Sequence, residues 1–217
     1  MNNILDCIKQ HKLVAISRGV YGTALLEAAR SVLAGGISLL EITFDQADPE
    51  GPARTSAAIA LVKQQLGSRI GVGAGTVMSV EQARAARDAG ADFALAPNVD
   101  LKVIHALKQL GMVAVPGAMT PSEIALAWNE GADLVKVFPA GVLGTAFIRA
   151  VRGPLNHIPL MAVGGINTDN VREFLEAGCC SAGIGSSIID RKRADAGDFD
   201  GISKIAAAFV KASSGTA

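Results

Sequence analysis

Aromatic side chains are scarce in this sequence: Trp128, Tyr21 and seven phenylalanines are all it holds in 217 residues. A surface that stacks nucleic-acid bases needs interleaved aromatics, so no such platform is expected. An excess of either charge is also missing, because 20 Lys and Arg balance 20 Asp and Glu. That balance supplies neither a basic face for nucleic acid nor an acidic tail. Cysteine occurs three times, at Cys7, Cys179 and Cys180, without metal-site or redox spacing, and a reduced, cytoplasmic setting is expected. No apolar run reaches the roughly 18 residues a membrane helix needs, so no membrane partner is expected. The opening MNNILDCIKQHK carries charges and lacks the apolar core of a signal peptide. His11, His105 and His157 are scattered, and no His/carboxylate cluster has ligand spacing. The sequence therefore predicts no metal and no cofactor. It also lacks a G-x-S-x-G elbow and a Cys/His nucleophile pattern.

What is present is aliphatic. Half of the residues are hydrophobic, and with so few rings the core must be built of Ala, Val, Ile and Leu. Two kinds of segment alternate. Short apolar runs read as strands: LVAIS (13–17), SLLEITF (38–44), IGVGAG (70–75), DFALA (92–96), MVAVPG (112–117), LVKVF (134–138), PLMAV (159–163) and SAGIG (181–185). Between them lie Ala-rich stretches with apolar residues three and four apart and Gly just past their ends, the signature of capped helices. The strands show no polar/apolar alternation, so both of their faces are expected to be covered, as in a parallel sheet. Right-handed βαβ crossovers follow. Eight units after a short leading helix predict an α/β fold of the (β/α)8 TIM-barrel type, the rival being an open doubly wound sheet. No linker divides them, so residues 1–217 are read as a single barrel domain, with 1–11 as the leading helix and 213–217 as a frayed tail.

Barrel sites lie at the carboxyl ends of the strands. One lysine, Lys136, stands in the middle of the sixth apolar run, and Glu41 stands near the end of the second. Strands 2 and 6 face each other across an eight-stranded barrel, so period-2 alternation can aim both side chains into its mouth. Two readings remain open on this pattern. The pair is structural, or solvated at strand ends. Alternatively, burial lowers the lysine's pKa and prepares an amine nucleophile for Schiff-base chemistry.

AVGGIN (162–167) and AGIGSSII (182–189) end the seventh and eighth strands, where this fold commonly builds a phosphate site. Gly164 and Gly165 let backbone amides approach an anion, and Ser186 with Ser187 can start a helix whose dipole favours negative charge; ordinary turn glycines are the bland reading. GVGAGTV (71–77) is no dinucleotide fingerprint, since Met78 stands where the third glycine belongs. As a barrel strand, its glycines thin the wall so that Thr76 and a ligand fit. Arg18 ends the first strand and can hold a carboxylate, or is simply solvated.

Taken in order, GISLLEITF, GVGAGTVMSVEQA, APNVD, VPGAMTPSE, DLVKVFPA and AVGGINTDNVREFLEAG followed by GIGSS resemble the 2-keto-3-deoxy-6-phosphogluconate (KDPG) / 4-hydroxy-2-oxoglutarate aldolase family, from about Leu13 to Ile189. The resemblance implies a metal-independent class I aldolase, homotrimeric, that cleaves a 2-keto-3-deoxy-6-phospho sugar acid to pyruvate and glyceraldehyde 3-phosphate. It makes Lys136 the Schiff-base lysine and Glu41 the general acid/base. Thr76 and Pro97 would line the pyruvate end, and Gly164, Gly165, Gly185 and Ser186 would hold the phosphate. Arg18 matches the branch acting on 2-dehydro-3-deoxy-6-phosphogalactonate. Two departures bear on substrate choice: Asp45 stands where the gluconate type has Arg, and Gly141 replaces a frequent Glu. The competing readings are a phosphate-binding barrel isomerase or epimerase, and a non-catalytic barrel that binds sugar phosphates.

Overall fold

A computed structural model describes residues 4–185 and 187–214. The leading helix α1 (Ile4–His11) precedes β1 (Leu13–Ser17), α2 (Gly22–Ala34), β2 (Leu39–Thr43) and α3 (Gly51–Leu66). Next come β3 (Gly71–Gly75), α4 (Val80–Asp88), β4 (Phe93–Leu95), α5 (Leu101–Gln109), β5 (Val113–Val115) and β6 (Gly117–Ala118). The chain continues through α6 (Pro121–Asn129), β7 (Val135–Val137), α7 (Ala140–Arg152), β8 (Leu160–Val163), α8 (Val171–Glu176) and β9 (Ser181–Ile184). Two helices close it, α9 (Arg191–Asp195) and α10 (Phe199–Ser214). The last helix takes in Ser213 and Ser214, and the rest of the tail expected to fray, residues 215–217, lies outside the described residues.

The strands pair in parallel in the order β5-β4-β3-β2-β1-β9-β8-β7-β6. The two ends of that order, β5 and β6, are neighbours in the chain with Pro116 between them. Proline has no N–H to give to a ladder, so it divides what the sequence reads as one strand. The first half pairs with β4 (Phe93↔Val113, Leu95↔Val115) and the second with β7 (Gly117↔Lys136, Ala118↔Val137). Hydrogen bonds still cross the join: the Ala114 carbonyl accepts from Asp133 N at 3.0 Å and the Pro116 carbonyl from Lys136 N at 2.9 Å. Nine strand segments among the described residues thus form eight staves, and the sheet closes into the expected barrel.

Alternation along the staves separates two cores. Val14, Ile16, Leu39, Phe93, Leu95, Val113, Val115, Leu134, Met161 and Val163 fill the barrel, and Ile8 of α1 packs onto them. Intervening residues such as Ala15, Leu40, Ile42, Val72, Val135, Leu160 and Ile184 face the helices. Both faces are therefore apolar, which explains the missing alternation. Each fully buried Val, Leu, Ile or Phe stabilises the fold by about 1.5–3 kcal/mol. Ile4 of α1 also lies against the start of β3, so the leading helix plugs the amino-terminal end of the barrel.

Strand β3 meets this interior with glycine alone. A Cβ on Gly73 would fall in the Phe93 ring, and one on Gly75 would overlap the Glu41 carboxyl. The thinned wall read from the sequence is there, but these protein side chains occupy the space.

One device recurs at the amino-terminal ends of the staves. Gly90-Ala91-Asp92 and Gly131-Ala132-Asp133 each follow a helix and precede β4 and β7. Asp92 N donates to the Val72 carbonyl at 2.7 Å, and Asp92 Oδ2 accepts from Val72 N at 2.9 Å. Asp133 repeats both bonds with Ala114, at 3.0 and 2.9 Å. Each acid also pairs with a lysine near the end of a helix, Lys63 or Lys108. The third copy, Gly178-Cys179-Cys180, keeps the backbone bond from Cys180 N to the Leu160 carbonyl at 2.9 Å but carries a thiol in place of the acid.

Candidate active site

Lys136 is the middle residue of β7 and Glu41 the middle residue of β2, and both are buried, at 6% and 2% exposure. The glycine face of β3 makes room for the Glu41 carboxyl, and Lys136 Nζ stands 4.8 Å from the Phe138 ring centroid. Among the described residues the two make no direct ion pair, and Glu41 Oε2 has no hydrogen-bond partner in the protein. Burial raises the Glu41 pKa, against the pull of the Lys136 and Arg18 cations. Burial lowers that of Lys136, against Glu41 and with help from Arg18. Both groups are driven toward their neutral forms. A pair kept for stability would be in contact and fully hydrogen-bonded. An uncharged amine with a separate carboxyl able to give or take a proton suits carbonyl addition instead.

The two side chains open into one cavity of about 740 Å³. Arg18, Thr76, Pro97, Gly164, Gly165 and Gly185 line it with them. Of the site residues named from the sequence, only Ser186 is missing from this set, because it lies outside the described residues. Arg18 Nη2 donates to Thr76 Oγ1 at 3.3 Å, so the strand 1 and strand 3 loops share one polar corner. Asp45, whose charge would repel an anionic substrate, does not line the cavity; it is exposed and its Oδ1 accepts from Ala47 N at 3.0 Å.

The loop after β8 explains two glycines and a departure. Gly164 and Gly165 have φ of 89° and 77°, a left-handed backbone that side chains resist. A Cβ on Gly165 would lie 3.1 Å from Gly141 Cα, and Gly141 N donates to the Gly164 carbonyl at 2.7 Å. Gly141 thus lets the start of α7 close onto this loop. Asn170 ties the loop down, its Nδ2 donating to the Gly165 carbonyl at 2.9 Å.

The loop after β9 departs from expectation. No helix starts at Ser187; residues 187 and 188 form a turn, and α9 begins at Arg191 with Asp190 as its cap, accepting from Lys192 N. Ile188 and Ile189 are buried in this turn. Ser187, read from the sequence as part of this anion-binding loop, lines the cavity, whereas sequence reasoning missed Asp190 and Arg191 here and Asn167 after β8. Asn167 had a signal, standing directly after GGI, whereas Asp190 and Arg191 lie in a charged stretch that reads as a solvated helix end. Among the described residues no three His, Cys, Asp or Glu side chains gather as a metal site.

Comparison with known proteins gives a consistent result. The family model described as KDPG and KHG aldolase matches residues 4–205. The 2-dehydro-3-deoxy-6-phosphogalactonate aldolase of Escherichia coli (strain K12) is 32% identical over 201 residues, 92% of this chain and 93% of that protein. The 2-dehydro-3-deoxy-phosphogluconate aldolase of Treponema pallidum (strain Nichols) is 33% identical over 181 residues, covering 82% and 81%. A solved structure described as native KDPGal superposes with a TM-score of 0.83 at 31% identity, over 92% of this chain and 93% of the other.

Proposed function

Because the chain belongs to the KDPG and KHG aldolase family, we propose that it is a class I aldolase cleaving a 2-keto-3-deoxy-6-phospho sugar acid, of the phosphogalactonate or phosphogluconate type, to pyruvate and glyceraldehyde 3-phosphate. The observation that carries the reading is one buried amine, pushed toward its free base, sharing a cavity with a buried carboxyl pushed toward its acid.

The neutral amine of Lys136 attacks the C2 ketone, and Glu41 protonates the departing hydroxyl so that water leaves and an iminium forms. The Glu41 carboxylate then takes the C4 hydroxyl proton. The C3–C4 bond breaks, its electron pair moves through C2 to the iminium nitrogen, and the aldehyde leaves an enamine behind. Protonation at C3 and hydrolysis return pyruvate and the free amine. Thr76 and Pro97 are assigned to the pyruvate end, with Arg18 beside them on the substrate's carboxylate or hydroxyls. Gly164, Gly165 and Gly185 are assigned to the phosphate, with Ser186 by resemblance alone. Fixing that remote group holds the reacting carbons in register, an entropic gain that can reach several kcal/mol.

Arg18 in the cavity, with Asp45 where the gluconate type has Arg, favours the galactonate epimer. We assign the molecule to the cytoplasm as a single-domain homotrimer. Three free cysteines support the location. Exposed Met78, Met119, Phe138 and Val142, all beyond the carboxyl ends of β3, β6 and β7, support the assembly. The test is pyruvate release across epimeric 2-keto-3-deoxy phosphosugar acids and 4-hydroxy-2-oxoglutarate, with borohydride trapping of pyruvate as a mass adduct on Lys136. No release from any acid and no adduct would overturn the proposal.

A further inference from the structure

Thr76 is one of two non-glycine residues with positive φ among the described residues, at 56°. A β-branched side chain is crowded in that region, and such a conformation persists only where the surroundings over-determine it. The flanking backbone does part of this: Phe44 N donates to the Gly75 carbonyl at 2.8 Å, and Val77 N to the Leu95 carbonyl at 3.0 Å. The carbonyl of Thr76 itself is held by a side chain from another loop, with Gln46 Nε2 donating at 2.9 Å. Gln46 is braced in turn, because Gln82 Nε2 donates to Gln46 Oε1 at 3.0 Å. Gln82 Oε1 accepts from Met78 N at 2.8 Å, and Gln82 N is held by Ser79 Oγ at 3.2 Å.

This chain has a direction. It begins at an amide that can only donate, Met78 N–H, and ends at a carbonyl that can only accept, that of Thr76. Each glutamine uses one oxygen and one nitrogen, so turning either amide over would set like ends against each other. The relay therefore fixes the rotation of the Thr76 peptide from outside the cavity. Thr76 Oγ1 in turn accepts from Arg18 Nη2, and both residues line the cavity that holds Lys136 and Glu41. Gln46 and Gln82 do not line it.

We propose that Gln46 and Gln82 are positioning residues that act through Thr76 to set how the substrate's polar groups meet Thr76 and Arg18. The proposal rests on the aldolase reading and extends it to the loop between β2 and α3, which selects substrate without touching it. Gln46→Glu keeps the shape and removes the donor to Thr76. Displacing a positioning group by even 1 Å can cost about a hundred-fold. For Gln46→Glu a fall in kcat/KM of roughly ten- to a hundred-fold is expected, mostly through KM because Lys136 and Glu41 are untouched. The melting temperature stays near that of the parent, since Gln46 is exposed.

A double-mutant cycle isolates the route. In a Thr76→Ala background there is no hydroxyl left to aim, and Gln46→Glu should cost less than about two-fold. Unchanged kcat/KM in Gln46→Glu would overturn the proposal, as would an equal loss in both backgrounds. Absence of pyruvate release from the unaltered protein would remove the aldolase reading, and this inference with it. Normal release from the parent together with an inert Gln46→Glu change would remove the inference alone.

Discussion

Lys136 and Glu41 are placed where burial works against their charged forms, and the sign of each shift has a consequence for stability. The folded chain binds the Lys136 proton more weakly than the unfolded chain does, so stability falls as pH drops below the ordinary lysine value of 10.5. It binds the Glu41 proton more tightly, so stability falls as pH rises above the ordinary value of 4.5. Near neutrality both groups cost stability. Replacing the pair with apolar residues, Glu41→Leu with Lys136→Met, should stabilise the fold by about 1–4 kcal/mol while abolishing pyruvate release; denaturant unfolding and a pyruvate assay check the two halves. Lys136→Arg should also be inactive and take up no borohydride adduct, because a guanidinium stays protonated. Since Arg18 helps to lower the Lys136 pKa, Arg18→Met should move the ascending limb of the kcat/KM pH profile to higher pH. At this scale the sequence was informative wherever a residue broke its local pattern. A lysine inside one apolar run and an acid inside another were visible; Arg191 and Asp190 sat in an ordinary charged stretch and were not.

Among the elements, the Gly-Ala-Asp repeat shows how side chains set stave ends. Asp133 serves an amide of the neighbouring stave and a lysine together, so Asp133→Ala leaves Ala114 N without its acceptor and should destabilise the protein by about 1–3 kcal/mol. A lower urea midpoint with an unchanged slope would show it. Gly75→Ala should be worse for activity than for folding, because the new methyl claims the place of the Glu41 carboxyl. A large fall in kcat with a modest loss of melting temperature is the expected split. The strands were legible because Val and Ile cluster in short runs bounded by Gly. The division at Pro116 was not, since a proline at the end of an apolar run reads as a terminus, and only the neighbouring staves reveal that pairing resumes beyond it. In place of the helix expected at Ser187 the chain makes a turn in which Ile188 and Ile189 are buried.

For the whole molecule, eight strand–helix units were enough to give the closed barrel, because closure is a matter of number and handedness. Association is a different property, carried by surface residues with no periodic signature. If the exposed side chains beyond β3, β6 and β7 lie between copies, Val142→Glu should reduce the mass seen by analytical ultracentrifugation, since Val142 is 78% exposed in the isolated chain. The plug formed by α1 has a further consequence for traffic. With Ile8 packed into one end, the cavity that holds Lys136 opens at the other, and on the proposed mechanism the amine carrying the three-carbon fragment stands well inside it. On that mechanism the aldehyde, nearer the threshold, is expected to depart before the keto acid. Turnover would then be a queue, and product-inhibition kinetics check it: pyruvate is expected to leave last, to inhibit competitively with the sugar acid and, in the synthetic direction, to be seated before any aldehyde is admitted.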